Sequence, residues 1–252
     1  GCLEIAENAF GSFDIIFGVS GQKERPSVRK KLSTVVLPNS IQKIGNEAFY
    51  WCEILDNFKI PQEVRSIGER AFAKCLSLDS IRIPSRLIDI SEQAFNECSS
   101  LKTVIFNENL LTIGKEAFAL TAIESLALPN SLKDIAPSAF YGCANLSELR
   151  IPSSVKHIGE GSFVGCNNLN SVYTYTIEPT SITETTFSTF KTATLYVPTT
   201  SFWNYYWDIG WSKFNSKNFK EFNEPYEYFY LNGDYTLDSS TGIIEGTPNA
   251  DL

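Results

Sequence analysis

The stretch LDSIRIPSRLIDISEQAFNEC, from Leu78 to Cys98, decides the fold because most of the chain repeats it. A phenylalanine marks the same position in each copy, and successive copies are 23, 23, 23, 22 and 23 residues apart. These phenylalanines are Phe49, Phe72, Phe95, Phe118, Phe140 and Phe163. A fixed period between about 20 and 50 residues is typical of solenoids, in which each repeat packs on its neighbours. The sequence therefore predicts a solenoid of stacked repeats.

The first part of each repeat predicts a short strand. In the quoted copy, Ile81 and Ile83 flank Arg82, and this alternation of apolar and polar residues is typical of a half-buried strand. Stacking one such strand per repeat gives a parallel sheet along one side of the solenoid. A proline ends the strand in most copies, because it has no N–H to donate to the sheet ladder. These prolines are Pro38, Pro61, Pro84, Pro129 and Pro152.

The second part of each repeat predicts a turn and a short helical segment. An isoleucine, Ile90 in the quoted copy, is followed by glycine in four repeats and by Ser91 or Ala136 in two. This turn therefore favours a small residue without requiring positive φ. The segment Glu-Ala-Phe-x-x-Cys then predicts a helical turn on the opposite side. It is too short to be stable alone, so packing must hold it in place.

The copy from Ile151 to Leu169, IPSSVKHIGEGSFVGCNNL, carries a family resemblance. The pattern resembles the BspA-like leucine-rich repeats of bacterial surface proteins, over residues 32–174 and in a partial copy at 3–10. The resemblance implies an α/β leucine-rich-repeat solenoid with parallel strands on one side, short helical turns on the other and a C-terminal cap. It also implies a secreted or surface-attached bacterial protein that adheres to host proteins or other cells.

The places where the repeat pattern is interrupted or ends predict that the chain is divided into three parts. Residues 1–174 form the solenoid, with an insertion at about 11–31 that predicts an exposed basic loop. Residues 175–222 form the capping region, since terminal repeats require a cap. Residues 223–252 predict a small hairpin-like tail with a turn at Asn232-Gly233, or the start of a further module. The absence of methionine and the start inside a repeat predict further residues upstream of Gly1.

Composition argues against several classes of function. The net charge of −8 disfavours nucleic-acid binding, which needs a basic face. Apolar runs are shorter than the roughly 18 residues that a membrane helix requires. The sequence contains one histidine, His157, at a polar repeat position, and neither a P-loop nor a dinucleotide-binding glycine motif. We therefore expect a protein that is not an enzyme and that needs no metal or cofactor.

Five cysteines share one repeat position, three residues after the phenylalanine. They are Cys52, Cys75, Cys98, Cys143 and Cys166, and Thr121 replaces cysteine in the repeat that is one residue short. Adjacent strands lie ~4.8 Å apart, which keeps side chains of one column wider apart than the ~3.5–4.5 Å between the Cβ atoms of a disulfide. We therefore favour buried free thiols over disulfides or a metal site. Cys2 belongs to a different column.

The outward positions of the predicted sheet are the candidate binding surface. The residue between the last two apolar positions of each strand faces out, and Arg and Tyr there are frequent binding anchors. The candidates are Lys59, Arg82, Ile105, Arg150 and Tyr173. An extracellular or host protein is the expected partner, and a merely solvated sheet is the alternative.

Aromatic residues after position 200 allow a second interpretation. Trp203, Trp207 and Trp211 are spaced for one face of a helix that begins after Thr200 or Ser201. They are interpreted as part of the cap, or alternatively as a platform that binds glycan rings. A structural spacer that displays another domain is the third interpretation.

Overall fold

The protein is described by a computed structural model that covers residues 4–9 and 32–223, with the backbone of 236–238 and 243–245. Cys2, the basic loop and the turn at Asn232-Gly233 lie outside these residues. The strands in chain order are β1 (Glu4–Ile5), β2 (Lys43–Ile44), β3 (Ser66–Ile67), β4 (Ser80–Arg82), β5 (Asp89–Ile90), β6 (Thr103–Ile105), β7 (Thr112–Ile113), β8 (Ser125–Ala127), β9 (Asp134–Ile135), β10 (Glu148–Ile151), β11 (His157–Ile158), β12 (Ser171–Thr174), β13 (Thr194–Pro198), β14 (Phe219–Phe222), β15 (Thr236–Asp238) and β16 (Ile243–Glu245).

Two parallel strand arrays run along the solenoid, whereas the sequence predicts a single parallel sheet. The first array follows the isoleucine column in the order β1-β2-β3 and then β5-β7-β9-β11. The second array follows the predicted strands in the order β4-β6 and then β8-β10-β12-β13-β14. Each residue pairs with its equivalent one repeat away, as Arg150 does with Tyr173. Strands β15 and β16 form a separate antiparallel pair.

The segments predicted as helical turns are instead tight turns, and their backbone N–H groups donate hydrogen bonds to carbonyls of the next repeat. The N–H of Phe49 donates to the carbonyl of Ala71 at 2.7 Å, and the N–H of Trp51 donates to the carbonyl of Ala73 at 2.8 Å. Such bonds require alternating backbone geometry, and Glu47 and Trp51 have φ of 52° and 65°. Residues in the left-handed backbone conformation recur at equivalent positions of later repeats and prevent a regular helix. Hydrogen bonds between repeats instead pair the backbone N–H and C=O groups of these turns.

The phenylalanine column forms a continuous stack through the core. Neighbouring rings from Phe49 to Phe163 lie 5.0–5.6 Å apart and are almost parallel. The stack continues to Phe187, 5.1 Å beyond Phe163, and so extends into the predicted capping region. Burial of these rings stabilises the solenoid, because each aromatic side chain removes a large apolar area from water.

The five cysteines of the described core are free thiols and are buried, as predicted. From Cys75 onward each thiol donates to the carbonyl of the phenylalanine in the repeat before it, at 3.1–3.3 Å. Thr121 fills the same place and donates to the carbonyl of Phe118 at 2.9 Å. Burial raises the pKa of Cys98 to about 12 and the pKa of Cys143 to about 11, which keeps both thiols protonated.

The cap differs from the predicted helix with three tryptophans on one face. Helix α1 spans Phe202–Trp207 only and begins after Ser201. It ends because the chain turns at Asp208, whose carboxylate accepts the N–H groups of Gly210 and Trp211 at 2.9 and 3.0 Å. This turn directs Trp211 into the core, where it is fully buried. Its indole N–H donates to the carbonyl of Thr180 at 2.7 Å.

Strand β14 was not predicted from the sequence. It pairs with β13 in parallel and adds one strand to the end of the sheet. None of the helices in the described residues is long and apolar enough to cross a membrane.

Candidate functional site on the outer face of the parallel sheet

The solvent side of the second strand array carries two neighbouring columns of side chains. Strand β10 shows the alternation, because Leu149 and Ile151 are buried while Glu148 and Arg150 are half-buried. We call the column that contains Arg150 the outer row and the column that contains Glu148 the neighbouring column. It comprises Val36, Lys59, Arg82, Ile105, Ala127, Arg150, Tyr173, Tyr196 and Lys220.

The N-terminal part of the outer row borders a shallow hollow. Lys59, Arg82 and Ile105 all line this hollow, which has a volume of about 330 Å³. Polar side chains of the neighbouring column, among them Asn57 and Thr103, complete its wall. Three of the five residues predicted from the sequence therefore lie together, in a setting that combines cations with amide and hydroxyl groups.

The C-terminal part of the outer row is an aromatic stack with a cation at each end. The rings of Tyr173 and Tyr196 stack with centroids 4.2 Å apart and an angle of 8°. The guanidinium of Arg150 lies 4.5 Å from the Tyr173 ring, and the ammonium of Lys220 lies 5.6 Å from the Tyr196 ring. We call these four residues the tyrosine ladder. Cation–π attraction and strand register both hold it in place.

Neighbouring side chains fix the orientation of the ladder. Arg150 donates from Nε to Glu148 at 2.7 Å and from Nη1 to the hydroxyl of Tyr175 at 2.8 Å. The ring of Phe222 meets Tyr173 and Tyr175 edge-on, at 5.6 and 5.0 Å. The guanidinium therefore has little rotational freedom, which lowers the entropic cost of binding a ligand there.

Tyr173 remains a hydrogen-bond donor over a wide pH range. Burial raises the pKa of Tyr173 to about 12, and the neighbouring Tyr196 and Glu148 act in the same direction. The hydroxyl is therefore protonated at neutral pH and does not add negative charge to the ladder.

The predicted candidates thus fall into two groups. Arg150 and Tyr173 belong to the tyrosine ladder, whereas Lys59, Arg82 and Ile105 border the hollow. Tyr196 and Lys220 were not predicted from the sequence. Tyr196 stands 23 residues after Tyr173, so the repeat period could have found it. Lys220 stands in the unexpected strand β14, which carries no repeat motif.

The aromatic residues of the cap separate in the structure. Trp203 and Trp207 are 61% and 75% exposed, whereas Trp211 is 0% exposed and cannot touch a ligand. The alternative glycan platform is therefore wrong for Trp211. Trp207 and Tyr206 line a hollow of about 480 Å³ next to Lys213.

The solvent-facing side of the first strand array carries the histidine His157 beside the carboxylate of Asp134. His157 is exposed, and its Nδ1 lies 3.1 Å from a carboxylate oxygen of Asp134. Within residues 4–9 and 32–223, no group of three or more His, Cys, Asp or Glu residues is placed to hold a metal ion.

Comparison with protein-family models identifies the family of the repeat. A family model described as the BspA-type leucine-rich repeat region, in six copies, matches residues 28–146 and 112–240. A search among curated proteins finds no match.

Solved structures of bacterial leucine-rich repeat proteins are also similar. A leucine-rich repeat protein from Bacteroides ovatus is 27% identical, with 54% of this chain and 47% of that chain covered and a TM-score of 0.40. The leucine-rich repeat protein of T. pallidum is 27% identical over 57% of this chain and 59% of that one, with a TM-score of 0.43. A leucine-rich cell surface protein from Faecalibacterium prausnitzii is 22% identical over 70% and 58%, with a TM-score of 0.39. The chain spans about half to three fifths of the length of these proteins.

Proposed function

The chain belongs to the family of BspA-type leucine-rich repeat proteins, and from that premise we propose that it is an adhesin-like scaffold that binds proteins. It acts at the bacterial cell surface or as a secreted protein, and its partner is an extracellular or host protein. The outer row is the binding surface, and binding rather than catalysis is its role. Solenoids commonly bind partners on an extended face of this kind.

The observation that carries this proposal is the tyrosine ladder. A purely structural sheet needs only small polar residues on its solvent side, as Ser125 and Ser171 supply in the neighbouring column. The outer row instead places Arg and Tyr at adjacent registers and orients Arg150 with two hydrogen bonds. Preoriented Tyr and Arg side chains are the residues that most often contribute binding energy at interfaces.

The test is a binding screen of the purified chain against a panel of extracellular-matrix proteins. The variant is a triple charge reversal of the outer row, Lys59→Glu, Arg82→Glu and Arg150→Glu. The matched control reverses Lys115, Lys133 and Lys156, which are exposed and lie off the outer row. We expect the first variant to lose binding and the second to keep it, with folding of both checked by circular dichroism. Equal binding by both variants would contradict the proposal.

A glycan-binding role for the cap is the second candidate, and one observation favours it. Trp203 and Trp207 are exposed and lie edge-to-face with Tyr206, at 5.5 and 4.9 Å, beside the hollow of the cap. Exposed aromatic rings can pack against sugar rings. Quenching of tryptophan fluorescence by an oligosaccharide, lost in Trp203→Ala and Trp207→Ala, would support this role. Binding through neither surface would leave a structural spacer.

A further inference from the structure

We propose that the outer row recognises an extended acidic segment of its protein partner, with carboxylates about four residues apart. This inference rests on the proposed function, because it assumes that the outer row is the binding surface. It adds the chemistry of the partner and the spacing of the groups that are recognised.

The faces of the stacked rings are closed to a ligand. Arg150 covers one face of Tyr173 and Tyr196 covers the other, with a ring separation of 4.2 Å. Lys220 lies over the remaining face of Tyr196. A sugar or a proline ring therefore cannot stack there without displacing a cation.

The groups that remain accessible are donors and positive edges. The edges of aromatic rings carry partial positive charge. The guanidinium and the ammonium at the two ends of the ladder are donors only. The complementary ligand consequently presents acceptors, and carboxylates form the stronger, charge-assisted hydrogen bonds.

The charge distribution favours the same ligand. Within the described residues, the outer row contains the cations Lys59, Arg82, Arg150 and Lys220 and no acidic residue. Glu148 of the neighbouring column is engaged with Arg150 at 2.7 Å. The chain as a whole carries a net charge of −8, so an acidic partner is repelled elsewhere and attracted to this row.

The spacing of the cations sets the spacing of the carboxylates. Arg82 and Arg150 are separated by three strand steps (β4, β6, β8, β10), and so are Arg150 and Lys220 (β10, β12, β13, β14). At about 4.8 Å per step, each interval is about 14 Å. An extended chain rises about 3.3–3.4 Å per residue, so 14 Å corresponds to about four residues. The three cations therefore match acidic residues at positions 1, 5 and 9 of a segment that crosses the strands.

The experiment compares fluorescein-labelled peptides of equal length by fluorescence anisotropy at low and physiological ionic strength. The first carries Glu at positions 1, 5 and 9 in a Gly/Ser/Thr background. The second has the same composition with the three Glu adjacent, and the third has Gln at positions 1, 5 and 9. A heparin oligosaccharide is the fourth probe.

We expect the spaced-Glu peptide to bind most tightly and to weaken as salt shortens the screening length. Lys220→Gln and Arg82→Gln should each weaken it about two- to fivefold, as the loss of one exposed ion pair does. The two effects should multiply in the double variant, because the sites are far apart. Lys115→Gln, a cation off the outer row, should leave binding unchanged.

Each opposite result overturns the inference. Equal binding of the adjacent-Glu or Gln peptide, or no binding of any peptide, would contradict the spacing and the charge requirement. Tighter binding of heparin with the same dependence on Lys220 and Arg82 would identify a sulfated polymer instead of an acidic protein. If the outer-row charge reversal still abolishes binding to a matrix protein in any of these cases, the proposed function stands and only this inference fails.

Discussion

Phe95→Ala tests the stacked core most sharply. Phe95 is fully buried, and its ring lies 5.3 Å from both Phe72 and Phe118 with planes only 3° apart. A buried phenylalanine removes about 150–250 Å² from water, which corresponds to about 4–6 kcal/mol at 25 cal/mol/Å². Measured Phe→Ala losses in protein cores are about 3–5 kcal/mol. We therefore predict a loss of about 4 kcal/mol in the free energy of unfolding.

The assay is urea denaturation followed by circular dichroism, with linear extrapolation to water. Tyr141→Ala is the control, because this aromatic side chain directly follows Phe140 of the stack but is exposed, so its loss should change stability by no more than about 0.5 kcal/mol. Phe95→Leu should recover more than half of the loss, since it refills most of the cavity. A loss below about 1 kcal/mol in Phe95→Ala would refute the view that the phenylalanine stack holds the repeats together.

Three further predictions concern the cap, a buried hydroxyl and the thiols. Trp211→Ala should lower the free energy of unfolding by about 3–5 kcal/mol because it opens a cavity in the core, whereas Trp203→Ala should lower it by less than about 0.5 kcal/mol. Equal decreases of the melting temperature in the two variants would contradict the distinction between a buried and an exposed tryptophan. Tyr205→Phe should lower the free energy of unfolding, measured by urea denaturation, by about 1–3 kcal/mol. The substitution removes the hydroxyl that lies 2.7 Å from the buried hydroxyl of Thr174. An unchanged free energy of unfolding would argue against this contact. In the folded state the pKa of Cys98 is raised to about 12, so the thiol keeps its proton, whereas in the unfolded state it loses the proton above about pH 9. The unfolded state is therefore favoured as the pH rises. This thiol should lower the free energy of unfolding by about 1.4 kcal/mol per pH unit between pH 9 and 12. Between pH 9 and 10.5 the decline should be about 2 kcal/mol smaller in Cys98→Ala, and identical pH profiles would exclude a buried, protonated thiol.

The repeat period made the columns of the solenoid predictable. Once Ile81 and Ile83 are placed inward, the alternation along the strand places Arg82 outward, and the structure confirms this orientation. The free thiols followed from the same reasoning, since the spacing of a column of parallel side chains disfavours disulfide geometry.

Features that depend on contacts between distant parts of the chain could not be predicted in the same way. Glu47 and Trp51 adopt the left-handed region although neither is glycine, because hydrogen bonds to the next repeat stabilise that backbone. Trp211 was misplaced because the spacing rule assumed a longer helix, whereas Asp208 ends it by accepting two N–H groups. Strand β14 is recognised only by its pairing with β13, and Lys220 of the tyrosine ladder was missed with it.

The most direct test of the account is a lysine footprint of the complex with whichever matrix protein the screen identifies. The chain is acetylated with and without the bound partner, and the extent of modification at each lysine is measured by mass spectrometry. If the partner binds through the outer row, Lys59 and Lys220 will be protected, while Lys115 and Lys133 will be modified equally in both samples. Protection confined to Lys213 in the cap, or to the lysines off the outer row, would contradict binding through the sheet.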